Sequence, residues 1–168
     1  MATDNKVVIV NEKDEVIGAM DMMQAHQEGR LRRAARVFVL NEKGQVLLQR
    51  RSESVLHPLL LDQSVGGHVD EGESYHEAAK REMAEELGID AVPLEEVVTS
   101  YRIEYHFNAI YRTRIHSQDE VSFDPDEVAG VTWYDPDELS VKVEQSPEEF
   151  TSSFPQVWRE LRDKIITP

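Results

Sequence analysis

The sequence predicts a single α+β domain in which strands come first, a helix follows, strands return and a helix closes the chain. Three observations lead to this prediction. The chain has 168 residues, of which 40% are hydrophobic, and this is enough for one core of ordinary size. Short β-branched and aromatic runs alternate with turn-forming residues. Two further stretches have helical periodicity with recognisable ends, so a helix–sheet–helix sandwich is the alternative description.

The first half of the chain contains two predicted β-hairpins. Residues 7–10 are a β-branched run, and Val16-Ile17-Gly18 follows after the turn-forming residues 11–14. Residues 37–40 and 46–48 flank a second turn, which contains Gly44. Between the hairpins, residues 20–29 are compatible with either a helical turn or a connector with a few core contacts. We therefore expect strands to dominate this half.

The second half contains the two predicted helices. Ser74 and Glu77 have the spacing of a capping box, and the helix that they begin ends before Gly88. The closing helix begins near Pro155 and has apolar residues at helical spacing. Between the helices, residues 98–115 are rich in β-forming residues and predict two strands or one long bent strand. Residues 131–134 predict a further short strand.

The charge of the chain limits its partners. There are 18 basic and 33 acidic residues, which gives a formal net charge of −15. All of this excess lies after residue 69. A field of this sign repels nucleic-acid backbones and anionic membranes, so we expect neither as a partner. To handle an anionic substrate the chain would need a divalent cation or a local group of arginines, and its arginine-rich stretches lie before residue 69.

Cysteine content and hydropathy narrow the classes further. The sequence contains no cysteine, which excludes a disulfide framework, a zinc ribbon and a cysteine nucleophile. No stretch approaches the roughly 20 apolar residues of a membrane span, and the start of the chain lacks the basic flank and apolar core of a signal peptide. We therefore expect a cytoplasmic protein.

The first predicted helix has one densely anionic face. At about 100° per residue, Glu82, Glu85 and Glu86 share an arc roughly 100° wide. Like charges at this spacing destabilise a helix unless a cation binds to them. A hard divalent cation is the obvious partner, and oxygen ligands favour Mg²⁺ or Mn²⁺ over Zn²⁺. The cluster therefore indicates a metal-assisted reaction on a phosphate ester or anhydride. The apolar residues beside this face, which should pack the helix against the sheet, are Ala79, Met83 and Leu87.

Three glutamates on a helix of an acidic chain can also be an ordinary solvated face, but the surrounding spacing is specific. Gly67 is followed after five residues by Glu73, and after seven more by Arg-Glu-apolar-X-Glu-Glu-X-Gly-apolar. Residues 67–89 thus resemble the signature of the Nudix hydrolases without a departure. The order of strands and helices from about residue 33 onward is similar to that of the family as well.

The resemblance implies a fold and an activity. The fold would be a Nudix-type α/β/α sandwich with a mixed sheet and a loop–helix–loop motif. Residues 1–168 would form one domain, with residues 1–30 as an N-terminal hairpin extension. The activity would be hydrolysis of a nucleoside diphosphate linked to another moiety, with Mg²⁺ or Mn²⁺ as cofactor and a small nucleotide-type molecule as substrate. The apolar and aromatic patches of the chain could serve a homodimer as readily as a core.

The resemblance also implies roles for the residues of the motif. Glu82, Glu85 and Glu86 would be metal ligands, and Glu85 or a loop carboxylate would be the base that activates water. Glu127, in an acidic loop, matches a place where many family members carry a further ligand or base, although an ordinary solvated glutamate is the alternative. Gly67 would let the backbone approach the metal, since a residue without a side chain is needed there.

Arg81 has two readings. In the first it orients the glutamates of the helix and pairs with Glu73, and in the second it forms an ordinary surface pair with Glu77, four residues earlier. We favour the first.

Substrate-binding candidates are less specific. Arg50 and Arg51 end a strand and could clamp a diphosphate, although only one of them can face inward on a regular strand, and Arg36 is a similar candidate. Tyr105 lies where family members that cleave dinucleoside polyphosphates tend to have a tyrosine, but plain strand packing competes with a stacking role. His68 is a candidate metal ligand or substrate contact, against a structural role in its loop.

The chain also resembles type I isopentenyl-diphosphate isomerases, through residues 11–18, 31–34 and 49–52. In that layout the catalytic cysteine falls at Gly66, a metal-binding histidine at Arg32 and a catalytic glutamate at His106, while His68 and Glu104 match metal ligands. Without a cysteine the isomerase proton relay cannot be assembled. We therefore expect a hydrolase from the isomerase-like branch, with an isomerase and a nucleotide-sensing module as alternatives.

Overall fold

The computed structural model describes residues 6–119 and 121–168. Within these residues the chain forms nine strands, four α-helices and one 3-10 turn. The strands are β1 Lys6–Val10, β2 Val16–Asp21, β3 Arg32–Leu40, β4 Val46–Arg51, β5 Leu61–Asp62, β6 Val65–His68, β7 Glu95–Ile103, β8 His106–Arg114 and β9 Val128–Tyr134. The helices are α1 Met22–Gln27, α2 Tyr75–Leu87, α3 Pro136–Gln145 and α4 Phe154–Ile166, and the 3-10 turn is Pro147–Glu149. None of these described helices is long and apolar enough to cross a membrane.

All nine strands belong to one mixed sheet, which is organised around β3. Along one edge β3 pairs in parallel with β8, and β8 pairs in turn with β7 in antiparallel. The other edge of β3 is shared by β1 at Arg32, by β6 over residues 34–37 and by β4 over residues 39–40. The strand β4 then pairs with β5 and β9. Since β6 pairs with β3 alone, no described strand covers its second edge.

Helices cover both faces of this sheet, which gives three layers. The side chains of a strand alternate between its two faces, so Val37 of β3 points toward α2 and Phe38 toward α4. Met83 and Leu87 of α2 are buried in the core on the first face, and Trp158 of α4 is buried in the core on the second. The predicted α/β/α sandwich, with its helix held against the sheet by apolar residues, is confirmed.

The short strand β6 separates the two faces at the centre of the molecule. Val65 is buried in the core beneath α2, and the open side of Gly67 points the same way, toward Glu82. The intervening Gly66 and the following His68 belong to the opposite face, which carries α4. A strand with two glycines allows side chains from both layers to approach its backbone closely.

The N-terminal hairpin is part of the same sheet. Val8 and Val10 of β1 are buried in the core beneath α2. At its turn, Asp14 has a φ of 60°, and its buried carboxylate accepts hydrogen bonds from Arg33 (2.8 Å), Tyr75 (2.8 Å) and Ser100 (2.6 Å). The hairpin is therefore tied to β3, to the first turn of α2 and to β7. Residues 1–5 of the predicted extension lie outside the described residues.

Most predicted elements are found, and some are missed. The capping box at Ser74 and the left-handed end of α2 at Gly88 are confirmed, residues 98–115 form two strands, and residues 20–29 contain the short helix α1. The prediction lacks β5 and β6, which are too short to show periodicity. It also lacks α3, although Asp135 caps this helix and Pro136 stands in its first turn.

Candidate active site

The glutamates of α2 stand on the face of the helix that meets the sheet edge. The capping box fixes the start of the helix, and the αL conformation of Gly88 (φ 63°) fixes its end. Glu86 is buried, Glu82 is largely buried and Glu85 is exposed. We call these three residues the acidic face. Their exposure to solvent increases from Glu86 through Glu82 to Glu85, so a molecule that arrives from solvent contacts Glu85 first.

Arg81 connects the acidic face with the loop before α2. Its guanidinium donates two parallel hydrogen bonds to the carboxylate of Glu73 (2.7 and 2.9 Å). It also donates to Glu82 (2.8 Å), to Glu85 (3.2 Å) and to the carbonyl of His68 (3.0 Å). The carboxylate of Glu77 caps the helix instead. Of the two readings of Arg81, the structure shows the pairing with Glu73, and this geometry lets Arg81 position the glutamates.

Glu86 is held by two donors beneath the sheet edge. Gln49 of β4 donates to Glu86 Oε2 (2.7 Å) and also to the carbonyl of Ser64 (3.2 Å). The backbone amide of Gly66 approaches the same carboxylate oxygen at 3.4 Å. These are neutral donors, so they orient the carboxylate without balancing its charge. Glu86 therefore has no cationic partner among the described residues.

Gly67 lies directly against the carboxylate of Glu82. A Cβ atom at residue 67 would come within 2.0 Å of Glu82 Oε1 and 2.7 Å of Oε2. No residue except glycine fits without displacing this glutamate. The expected approach of the Gly67 backbone to a metal stays a prediction, and the structure adds that the space beside this glycine holds a carboxylate.

Burial and mutual repulsion shift the acidic groups. Burial raises the pKa of Glu82 to about 7 against the opposing effect of Arg81. Burial, followed by the charge of Glu82, raises the pKa of Glu86 to about 8. Burial and the charges of Asp124 and Glu85 raise the pKa of Glu127, so this loop carboxylate lies within electrostatic reach of the acidic face. Four carboxylates therefore share one region, with Arg81 beside Glu82 and Glu85 and with the charge of Arg51 within reach of Glu127.

The side chains of this region fit a hard divalent cation. Each residue of the acidic face can offer only carboxylate oxygens as metal ligands, and this is the ligand type that Mg²⁺ and Mn²⁺ prefer. Burial raises the pKa of Glu82 in spite of Arg81, and it raises the pKa of Glu86, so a cation bound here would favour the ionised form of both carboxylates. Among the described residues no three acidic or histidine side chains converge on one point. In this arrangement Arg81 bridges Glu82 and Glu85.

The two arginines at the end of β4 point in different directions. The register of β4 with β9 shifts between Arg50 and Arg51, so the strand is not regular there. Arg51 lies 3.6 Å from Asp62, and its charge lowers the pKa of Glu127 against the larger effect of burial. Exposed Arg50 donates to the carbonyl of Leu59 (2.7 Å). Of the pair, Arg51 is the one on the side of the acidic face.

Four basic residues occupy the opposite face of β6 and its neighbours. Arg32 Nε donates to His68 Nε2 (3.3 Å), and His106 Nε2 lies 3.2 Å from the same nitrogen. Burial, followed by the charge of Arg32, lowers the pKa of His68 to about 4 and that of His106 to about 3. Both imidazoles are therefore neutral at pH 7. We call Arg32, Arg36, His68 and His106 the basic face.

Tyr105 lies apart from the acidic face. It is 54% exposed in the turn between β7 and β8, and its ring lies over Gly29 in the turn between α1 and β3. Its carbonyl accepts a hydrogen bond from the amide of Arg32. The structure thus brings the predicted residues of the motif together with Arg51 and Glu127, brings His68 and Arg36 to the opposite face, and leaves Tyr105 at the rim.

Two polar residues of these faces escape the sequence analysis. Gln49 holds Glu86, and its signal is the alternation of β4, because it follows the core residue Leu47 by two positions. Gln63 donates nothing to the acidic face, but its side chain lies under Gly66 and contacts Arg36. No pattern of the sequence marks Gln63, since it stands in the two-residue link between β5 and β6.

Comparisons with known proteins agree on one family. A family model described as the NUDIX domain matches residues 30–154. The isopentenyl-diphosphate Delta-isomerase of Pectobacterium atrosepticum is 30% identical over 164 residues, which cover 94% of this chain and 92% of that protein. A Nudix hydrolase of Deinococcus radiodurans is 35% identical over 147 residues, which cover 84% of this chain and 85% of that protein. The crystal structure of the Deinococcus radiodurans protein DR0079 matches with a TM-score of 0.82 at 30% identity, over 93% of this chain and 98% of that one.

Proposed function

The chain belongs to the Nudix family and is a hydrolase of phosphoric anhydrides, and from this premise we propose that it cleaves a nucleoside diphosphate linked to another moiety. Water would attack one phosphorus atom of the diphosphate. The observation that carries the proposal is the pair of carboxylates Glu82 and Glu86, which lie against the backbone of two glycines. Arg81 pairs with Glu82, and no described cation pairs with Glu86. Such an arrangement costs stability in the free protein and is useful only with a cationic cofactor.

The proposed cofactor is Mg²⁺ or Mn²⁺, which Nudix enzymes generally use. Glu82, Glu85 and Glu86 would hold it, and Glu127 is a candidate for a further ligand. When bound, a divalent cation would neutralise negative charge that develops on the phosphate groups and would lower the pKa of an attacking water.

The chain's own residues would have distinct roles. Glu85 is the glutamate of the acidic face that solvent reaches, so it can accept a proton from an incoming water, and Glu127 is the loop alternative. Arg81 would keep Glu82 and Glu85 in place while Glu73 holds Arg81. Arg51 would contact a phosphate group of the substrate. Cytoplasmic location and a homodimer stay predictions from the sequence.

An isomerase function is the alternative that the relatives raise, and three positions oppose it. Gly66 stands where the isomerase layout has its cysteine, and a Cβ atom there would lie 2.5 Å from Gln63 Nε2. Arg32 and His106 stand where that layout has a metal-binding histidine and a catalytic glutamate. A guanidinium in place of a neutral metal ligand brings positive charge to the position that a cation would occupy. We therefore propose hydrolysis over isomerisation.

The proposal is tested by product release across a panel of phosphoric anhydrides. The panel contains nucleoside diphosphates, nucleoside triphosphates, sugar nucleotides and dinucleoside polyphosphates, each with and without Mg²⁺ or Mn²⁺, and isopentenyl diphosphate isomerisation is assayed in parallel. We expect metal-dependent hydrolysis of one class that contains a linked nucleoside diphosphate. Tight nucleotide binding without turnover would instead indicate a sensing module, and isomerisation would overturn the assignment.

A further inference from the structure

The basic face combines buried positive charge with an absence of acidic partners. Arg32 is 4% exposed, and its guanidinium contacts His68, the carbonyl of Arg30 and the ring of His26. Within the described part of the chain, neither Arg32 nor Arg36 forms an ion pair with a carboxylate. The negative charge of Asp62 is close enough to affect the pKa of Arg36. The carboxylate of Asp62, however, accepts hydrogen bonds from Thr151 and the amide of Gln63, and it pairs with Arg51. A buried and a half-buried guanidinium, neither of them in an ion pair, favour the binding of an anion.

Arg36 is held in place by neutral groups and keeps one amino group open. Its Nε donates to Asn108 Oδ1 (2.9 Å), and its Nη1 donates to Gln63 Oε1 (2.9 Å) and Ser153 Oγ (3.0 Å). No described residue accepts a hydrogen bond from Nη2. A guanidinium that is already held by three hydrogen bonds loses little conformational entropy when a ligand binds to its remaining amino group. Arg36 is therefore prepared to donate to an oxyanion.

His68 presents a second donor beside it. A guanidinium can only donate, so His68 Nε2 must accept the hydrogen bond from Arg32 Nε. The proton of the neutral imidazole is then on Nδ1, and no described residue accepts from this atom. His68 faces Ala34 across the sheet, midway along β3 between Arg32 and Arg36. Both open donors thus belong to one side of β6.

The basic and acidic faces are separated only by the backbone of β6. The backbone amide of Gly66 approaches Glu86 on the acidic face. The side of Gly66 where a Cβ atom would stand faces Gln63, which contacts Arg36. No described strand covers the second edge of β6, where the side chain of Glu86 approaches the backbone of Gly66. A substrate whose diphosphate lies at the glutamates would extend around this edge to place another group against Arg36.

We propose that Arg36 Nη2 and His68 Nδ1 form an anion subsite that holds a phosphate or carboxylate group at the end of the substrate remote from the hydrolysed anhydride. The inference rests on the proposed function and narrows its substrate class. The moiety linked to the nucleoside diphosphate would itself carry an anionic group. In a chain with a formal net charge of −15, such a local site is needed to attract a second anion.

The first arm of the test uses inorganic phosphate and the metal-free protein. Imidazole nitrogen resonances are followed by NMR at pH 7.5 during the titration. We expect a saturable shift of His68 Nδ1 in the wild type and in Arg114→Gln, a matched loss of an exposed arginine on β8. Arg36→Gln should weaken binding about tenfold or more, since a charge-assisted pair is lost. The wild-type titration decides the matter even if that variant folds poorly, because the absence of a saturable shift overturns the subsite.

The second arm identifies the source of the anion. UDP-glucuronate and UDP-glucose differ by one carboxylate, and their affinities for the metal-free wild type are compared by calorimetry. We expect the acid to bind about tenfold more tightly, and Arg36→Gln to remove the difference. Equal affinity, or no measurable affinity for either probe, overturns the substrate assignment, and a phosphate shift alone would then indicate a free anion. Preference without hydrolysis of the panel would contradict the proposed function only, whereas hydrolysis without preference would contradict the subsite only.

Discussion

The two faces of β6 carry charges of opposite sign on the same strand. On the acidic face, carboxylates crowd together, and one arginine and one glutamine hold them. On the basic face, two guanidiniums are held by neutral acceptors alone. Each face leaves charge of one sign uncompensated. The difference indicates that each face is completed by a ligand of its own, a cation on one side and an anion on the other.

The largest expected effect comes from removing the charge of the acidic face. The double substitution Glu82→Gln and Glu86→Gln should reduce hydrolysis by about a thousandfold or more, because the cofactor loses two ligands. Without metal at pH 8 the variant should melt at or above the temperature of the wild type, since two buried charges are gone. Anhydride hydrolysis and thermal melting measure these effects. An unchanged rate would refute the metal assignment.

The next largest effect tests the close contact between Gly67 of β6 and the carboxylate of Glu82. Gly67→Ala places a Cβ atom within 2.0 Å of Glu82 Oε1, so Glu82 must move. We expect a loss of about 1–3 kcal/mol in the free energy of unfolding and a reduction in activity of about a hundredfold. Gly18→Ala is the matched control, because nothing lies within 4 Å of its added Cβ atom. Equal behaviour of the two variants would show that contact with Gly67 is unimportant.

A smaller effect distinguishes Glu73 from Glu77, the two partners that the sequence allows for Arg81. Glu73→Gln removes one charge from the paired Arg81 and should lower activity about tenfold, because the arginine then orients Glu82 and Glu85 less firmly. Glu77→Gln keeps a side chain that can still complete the capping box, so activity should stay within about twofold of the wild type. Steady-state kinetics compare the pair. A larger loss in Glu77→Gln would reverse the assignment of Arg81.

The smallest effect is the dependence of stability on pH, and it separates the two faces. The raised pKa values of Glu82 (about 7) and Glu86 (about 8) mean that the native state binds more protons than the unfolded state above pH 4.5. Stability therefore falls as the pH rises from about 6.5 to 8. The lowered pKa values of His68 (about 4) and His106 (about 3) act oppositely, so the stability they contribute above pH 6.5 is lost as the pH falls.

Thermal melting in chelator should show a fall of a few degrees between pH 6.5 and pH 8.5. Added Mg²⁺ should raise the melting temperature more at pH 8.5 than at pH 6.5, because the cation binds ionised carboxylates. The variant with both Glu82→Gln and Glu86→Gln should lose the fall and the response to metal. A metal response that is independent of pH would contradict the role of these two glutamates.

The acidic face could be predicted because all of its residues belong to one helix. Periodicity places Glu82, Glu85 and Glu86 on one side, and the capping box and Gly88 fix where the helix begins and ends. What the sequence does not show is the gradient of burial among them. The most buried of them, Glu86, accepts a hydrogen bond from Gln49, which comes from a strand 37 residues away along the chain.

The basic face could not be predicted, because it is assembled from three strands. His68 lies 36 residues from Arg32 and 38 residues from His106, and only the pairing of β3 with β6 and β8 brings them together. The resemblance to the isomerases aligns these positions but says nothing about contact between the new side chains. The short strand β6, on which both faces depend, is itself absent from the prediction, because four residues with two glycines give no β signal.

The turn at Asp14 ties the hairpin of residues 6–21 to the helix that carries the proposed metal ligands. The family model begins at residue 30, after this hairpin. A chain shortened to that boundary would leave Arg33 without its carboxylate and Tyr75 without its acceptor, and would remove β1 from beneath α2. Because α2 carries the glutamates, the family model leaves out a hairpin that supports the helix of the proposed active site. We expect an enzyme that lacks this hairpin to lose activity before it loses its fold.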